Sequence, residues 1–265
     1  MKPAAFGWAR PGGLAEAAAL LGADTARAMA GGQSLGPMLN LRAARPGTVV
    51  PLAGLAELHG VEEAADAVTL GAAITHAAIS DGRTPDIVDA AGVSILARVA
   101  GGIAYRAVRT RGTIGGSLCH ADPAADWLTT LTALRAVVLT TRRAVALERF
   151  VTGPYQTVLD PGEVVRAVRV PRLPAGARWG YHKLCRKPGE FAHAMAACVV
   201  GPGACRVVIG AVGGPPVVLD GLDGAAAALA FLDPVERHLQ IVAMRRALAM
   251  AGVAAEAPGT RRPSA

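Results

Sequence analysis

Two turns in this 265-residue chain combine the residue types that hold an anion without a charged side chain. Gly31-Gly32-Gln33-Ser34 and Thr113-Ile114-Gly115-Gly116-Ser117 each set two adjacent glycines beside hydroxyl side chains, between apolar segments. Glycine lets backbone N–H groups approach an anion because no Cβ intervenes, and Ser or Thr adds a further donor. The dipeptide alone says little: from 32 glycines chance gives roughly four Gly-Gly pairs, and the chain has five. The context selects these two, and together they would cradle a pyrophosphate. For either turn by itself, an ordinary tight turn is the competing reading.

Other chemistries lack their residues. There is no G-x-G-x-x-G and no G-x-x-x-x-G-K-[ST], so neither a Rossmann dinucleotide fold nor a P-loop is supported. H-E-x-x-H and the G-x-S-x-G nucleophile elbow are absent too. His59, His76, His120, His182, His193 and His238 are too dispersed to indicate a metal, and Cys119, Cys185, Cys198 and Cys205 form no C-x-x-C. The cysteines read as small reduced core residues, Cys119 being the one with chemically interesting neighbours.

The elements that must carry the two turns are legible in outline. Leu14–Leu21 is built of strong helix formers, with Gly22 where a C-terminus tolerates positive φ. Residues 26–30 and 48–52 read as strands flanking a turn and a short irregular helix. Val68–Ile74 alternates as a strand broken at Gly71, and 84–99 has helical spacing closed by Gly101-Gly102. A helix over 126–134, a hairpin of 136–140 with 143–147, and a strand over 163–170 follow. Pro171–Gly176 has a linker composition. Beyond it come three strands (178–184, 193–200, 205–212) and helical segments at 224–231 and 234–250. The expectation is an α+β fold with domains at 1–174 and 175–253, and a loose tail at 254–265.

Composition narrows the function class. Hydrophobic residues make up 52% and charged residues 18%, enough apolar surface for a core. The net charge of +7 comes from scattered arginines and only three lysines, and aromatics are 4%, so nucleic-acid binding is disfavoured. No apolar run has the length of a signal peptide or of a transmembrane segment, so the expected location is cytoplasmic.

The residues around the two turns carry a resemblance. Ala30-Gly31-Gly32-Gln33-Ser34-Leu35, followed by Leu41-Arg42-Ala43-Ala44-Arg45-Pro46, resembles the first flavin loop of the FAD-binding medium subunits of molybdenum hydroxylases, the family of carbon monoxide dehydrogenase and xanthine dehydrogenase. Arg109-Thr110-Arg111-Gly112-Thr113-Ile114-Gly115-Gly116-Ser117-Leu118 with 120–126 is similar to their second loop, a highly specific motif, and 183–192 to the segment opening their C-terminal domain. The likeness covers roughly 3–250. It implies a two-part PCMH-type FAD-binding domain, a small βα part and a larger mixed or antiparallel sheet, then a three-stranded antiparallel sheet packed on helices.

Position by position, the resemblance implies that Ala28, Met29, Ala30, Gly31, Gly32, Gln33, Ser34 and Leu35 wrap the FAD diphosphate together with Thr113, Ile114, Gly115, Gly116 and Ser117. Ile103 would line the adenosine side, Asp126 would hydrogen-bond the cofactor, Val165 and Lys183 would lie near the isoalloxazine, and Phe191 would stand over the ring. On the residues alone, Asp126 reads rather as an N-cap, Lys183 as a solvated strand residue and Phe191 as core. Two departures stand out: Ala104 replaces a common glycine and Thr110 a common asparagine. The absence of a cysteine-bearing insertion disfavours the benzoyl-CoA-reductase variant.

Functionally, the resemblance implies an oxidoreductase subunit. A molybdopterin-binding large subunit would oxidise the substrate, a small subunit with [2Fe–2S] clusters would relay electrons, and FAD here would pass them to NAD⁺, O₂ or a quinone, in a dimer of heterotrimers. A free-standing FAD-dependent oxidoreductase and a cofactor-free basic binding protein are the alternatives.

Overall fold

A computed structural model describes residues 2–221 and 224–253; the tail expected at 254–265 lies outside the described residues. The chain opens with β1 (Gly7–Trp8), α1 (Leu14–Leu21), β2 (Ala26–Met29), α2 (Leu35–Asn40) and β3 (Thr48–Pro51), which form a small parallel sheet of order β1-β3-β2. The first candidate loop leaves the carboxyl end of β2 and runs into α2. Helix α1 follows its expected bounds, but Gly22 keeps φ −68° in the right-handed region, so positive φ is not why glycine stands there.

The next layer begins with the hairpin β4 (Val61–Glu63) and β5 (Ala67–Gly71), followed by α3 (His76–Ser80), α4 (Ile95–Gly101), α5 (Arg106–Arg109), α6 (Ile114–His120) and α7 (Asp126–Ala133). Strands β6 (Val137–Thr140) and β7 (Ala144–Ala146) make the expected hairpin. The small pair β8 (Val151–Gly153) and β9 (Gln156–Thr157) precedes β10 (Val165–Pro171), which completes an antiparallel sheet of order β4-β5-β10-β6-β7.

The helical spacing over 84–99 is realised only from Ile95 on. Side-chain carboxylates take the backbone donors that a longer helix would have used. Asp86 accepts the N–H groups of Ile87, Leu96 and Ala97, capping α4, and Asp89 accepts those of Ala91 and Val93. Burial outweighs those bonds at Asp86 and raises its carboxyl above the usual range.

After residue 174 come β11 (Arg178–Leu184), β12 (Ala194–Gly201), β13 (Ala204–Gly210) and β14 (Val217–Asp220), then α8 (Ala225–Ala228) and α9 (Pro234–Met250). The sheet has four antiparallel strands rather than the expected three, because Val217–Asp220 pairs along the outer edge of β13. Asp233 caps α9 through the N–H groups of Val235 and Glu236, with Pro234 in the first turn, where its missing donor costs nothing. Helix α9 lies directly on β11: a Cβ on Gly180 would stand 1.8 Å from the Ala247 carbonyl oxygen.

Two large hydrophobic clusters result, with a small third one of Ala133, Ala197 and Val208. The largest is centred on Trp127, Phe150 and the leucines and isoleucines of the N-terminal helices and loops, packed on the valines of both N-terminal sheets; the next joins β12 and β13 to Ala243, Met244, Ala247 and Leu248 of α9. Cys198 is buried in the second as a packing residue, whereas Cys119 is exposed, against the expectation for a core thiol. No described helix is long and apolar enough to cross a membrane.

Candidate functional site

The two glycine loops meet. A Cβ on Gly31 would lie 1.9 Å from the Arg111 carbonyl oxygen, and one on Gly116 would lie 2.8 Å from Thr113 Oγ1 and 3.3 Å from Ala30 Cβ. Only residues without side chains let the backbones approach so closely. In the first loop the N–H groups of Gly31, Gly32, Gln33 and Ser34 have no acceptor among the described residues, and the half-buried Ser34 hydroxyl opens α2 beside them. Ala28, Met29, Ala30 and Leu35 complete that run, the first exposed and the others half-buried.

The second loop is more tightly held than the sequence suggests. Ile114, Gly115 and Ser117 donate their N–H groups to the carbonyls of Ile74, Ala72 and Thr113, and Gly116 donates to Thr113 Oγ1, which caps α6. The expected row of free amides is therefore confined to the first loop. The second contributes the positive end of α6, the half-buried Ser117 hydroxyl and the Cβ-free face of Gly116.

What anchors this second loop was not legible in the sequence. The His76 backbone N–H donates to the Gly112 carbonyl at 2.9 Å, and the buried His76 ring lies flush against Gly112. His76 Nδ1 accepts the indole N–H of the wholly buried Trp127 at 3.1 Å. Burial, reinforced by the nearby Arg109 charge, pulls the imidazole down to about 4, so it stays neutral and can act as an acceptor.

Around the corner the third motif closes a cleft of about 410 Å³, bordered by Gly102, Ala104, Tyr105, Arg109, Lys183, Cys185 and Gly189. Asp126 is not the N-cap of α7, a position held by Ala125. Its carboxylate instead faces β11, where Oδ1 accepts the Tyr181 hydroxyl at 2.6 Å and Lys183 Nζ at 2.8 Å, and Oδ2 takes no donor among the described residues. Lys183 also donates to the Gly102 carbonyl, so it is a nearly buried cross-link rather than a solvated strand residue. Burial and the Asp126 charge hold the Tyr181 phenol well above its usual value.

Arg109 Nη1 donates to the carbonyls of Ile103 and Ala104, fixing the turn that carries Ile103. Gly189, at φ +85°, packs against the same turn: a Cβ there would stand 2.8 Å from the Ala104 oxygen. Of the cleft cations, Arg106 is paired with Asp81, whose carboxyl that bond draws down to about 2, and Lys183 with Asp126. Arg109 has only carbonyl partners among the described residues and leaves its charge for an anion.

Not every expected residue joins this group. Val165 is buried in the larger core at the start of β10 and is absent from the cleft lining. Ile103 is half-buried against that core. Phe191, core by the residue reading, is instead 62% exposed.

The arrangement fits a dinucleotide with a doubly negative linkage: four unpaired amides, two hydroxyls at helix starts, an uncompensated guanidinium and an adjacent cleft of ligand size. Residues 4–173 match the family described as FAD binding domain in molybdopterin dehydrogenase. The chain is 37% identical to the carbon monoxide dehydrogenase medium chain of Hydrogenophaga pseudoflava over 206 residues, 76% of this chain and 70% of that one. It is 35% identical to the nicotine 6-hydroxylase medium subunit of Paenarthrobacter nicotinovorans over 212 residues, covering 78% and 73%. In structure it resembles carbon monoxide dehydrogenase from Hydrogenophaga pseudoflava with a TM-score of 0.84 at 30% identity, over 95% of this chain and 99% of that one. Quinoline 2-oxidoreductase from Pseudomonas putida 86 superposes with a TM-score of 0.79 at 31% identity, over the same shares. The chain thus belongs to the FAD-binding family of the molybdopterin dehydrogenases, as a medium subunit of the molybdenum-hydroxylase type.

Proposed function

We propose that this protein is the flavin-bearing link of a three-part molybdenum hydroxylase, placed between the [2Fe–2S] clusters of a small subunit and a terminal acceptor, NAD⁺, O₂ or a quinone. In this reading a molybdopterin-binding large subunit oxidises the substrate, and the cytoplasmic assembly is a dimer of heterotrimers. The observation that carries it is the junction of the two loops, with Gly31 against Arg111 and the amides of Gly31–Ser34 unpaired.

FAD, when bound, supplies the capacity to take up single electrons and to release two. The protein's own part is binding and orientation. The Gly31–Ser34 amides and the Ser34 and Ser117 hydroxyls would hold the diphosphate, and Arg109 would add positive charge beside it. Ile103 would border the adenosine. Lys183, fixed by Asp126, would lie near the isoalloxazine, and Phe191 would shield one face of the ring. Val165 would act from behind, through the core, rather than by contact.

Substrate choice would rest with the large subunit. The relatives are named for nicotine, caffeine, carbon monoxide and glyceraldehyde, yet all are 31–37% identical to this chain, so its sequence does not track that chemistry.

The test is to purify the full chain, record its visible spectrum, release the ligand by heat and identify it. FAD is expected, and Gly31→Ala is expected to weaken it at least about tenfold by forcing the loops apart. A colourless preparation that FAD cannot reconstitute would overturn the reading, and unchanged affinity in Gly31→Ala would remove the loop junction from it. Turnover of a substrate by the chain alone would favour the free-standing oxidoreductase.

A further inference from the structure

Among the buried titratable groups that the flavin reading does not place on the cofactor is His76, which anchors the second loop. Its contacts form a continuous line from the core to the diphosphate loops. Trp127 Nε1–H donates to His76 Nδ1 at 3.1 Å; the His76 ring supports the Gly112 face, where an added Cβ would stand 2.9 Å from Cδ2 and 3.0 Å from Nε2; and the His76 N–H holds the Gly112 carbonyl. The residue before Gly112 is Arg111, whose carbonyl oxygen is the atom pressed against Gly31. A shift of the imidazole therefore moves the contact on which the loop junction rests.

We propose that His76 is a positioning residue for FAD: held by the Trp127 indole, it sets the Arg111–Thr113 turn against Gly31 and so fixes the spacing of the two diphosphate loops. This rests on the flavin reading above.

Two features separate the proposal from simple space-filling. The ring is held in orientation by a hydrogen bond at Nδ1 as well as by packing, and a neutral imidazole with its proton on Nε2 is the form that accepts there. The bond also springs from the start of α7, where the preceding residue, Asp126, anchors Tyr181 and Lys183. Two consecutive residues of one helix thereby fix the second loop and the far wall of the cleft. The charged group facing the imidazole is Arg109 of α5, which disfavours a proton on the ring and so preserves the acceptor.

The experiment is FAD titration of the full apo-chain, followed by flavin fluorescence, with the thermal midpoint of each apo-variant measured in parallel. His76→Leu keeps bulk but removes the acceptor and orphans a buried indole N–H; it is expected to weaken FAD binding by about tenfold or more. His76→Asn places an oxygen near the Nδ1 position and is expected to bind within about threefold of wild type, despite its smaller volume. Trp127→Phe removes the same bond from the other end and is expected to weaken FAD by at least about threefold; it decides the matter should His76→Leu not fold. Binding by His76→Leu equal to or tighter than by His76→Asn would overturn the proposal, because space-filling favours leucine. Unchanged FAD affinity in Trp127→Phe would overturn it as well. Wild type that takes up no FAD would instead sink the flavin reading and this inference with it.

Discussion

Ala104 shows how a single residue links sequence and site. It stands where the family resemblance implies glycine, and its φ of +42° lies in the left-handed region. A Cβ there costs on the order of 1–2 kcal/mol, partly offset by the smaller entropy that alanine loses on folding. Ala104→Gly should therefore stabilise the chain by up to about 1 kcal/mol in urea unfolding; a loss of stability would mean the turn is not strained. The departure was visible in the sequence, but its reason was not, because a dihedral angle set by Arg109 and Gly189 has no signature in spacing. His76 ties the stability of the fold to pH. The folded chain refuses the imidazole a proton until about pH 4, whereas the unfolded chain accepts one near 6.5. Between those values the unfolded state binds more protons, so this contribution is present above pH 6.5 and is lost as pH falls towards 4, by up to about 3 kcal/mol. In His76→Asn the thermal midpoint should vary less over that window; an identical slope would assign the pH dependence to other groups.

At the scale of elements, α7 organises the site. Trp127 turns towards the second loop, Asp126 towards β11, and the helix packs on β12 and β13. Removing one partner of a buried ion pair strands the other charge, so Asp126→Ala should cost about 3–5 kcal/mol by leaving Lys183 with only the Gly102 carbonyl. Pairing it with Lys183→Met should recover a large part of that loss in denaturant unfolding; no recovery would show that the carboxylate serves Tyr181 rather than the ion pair. Elements whose signals are local were readable: α1 from its helix formers and β5 from the alternation of Val68–Ile74 broken at Gly71. The stretch 84–94 was not, because Asp86 and Asp89 turn their carboxylates to amides outside it, those of Leu96 and Trp179, and β14 was missed because four residues on a sheet edge carry almost no periodicity. The loop motifs pointed to the site, while the residues that hold them in place, His76, Trp127, Arg109 and Tyr181, could be assigned only once distant segments were in contact.

For the whole molecule, the linker composition at Pro171–Gly176 suggests two separable domains, but the contacts argue that they unfold together. Trp179, beyond that linker, is 2% exposed within the larger N-terminal cluster, and its backbone N–H donates to the Asp89 carboxylate. Arg206 of β13 reaches back to Glu148 at 2.5 Å and to the Thr132 carbonyl while also contacting Asp220 of its own sheet. Its guanidinium is almost fully buried, so separating the two parts would expose apolar surface and leave these polar groups without their partners. Scanning calorimetry of the full chain should accordingly give a single transition whose van't Hoff and calorimetric enthalpies agree. A fragment ending at residue 174 lacks Trp179, Tyr181 and Lys183, and should neither reach the stability of the intact protein nor take up FAD with comparable affinity. Two well-separated transitions, or a fragment that binds FAD as tightly as the whole chain, would show instead that the C-terminal sheet is an appendage and that the cleft is built without it.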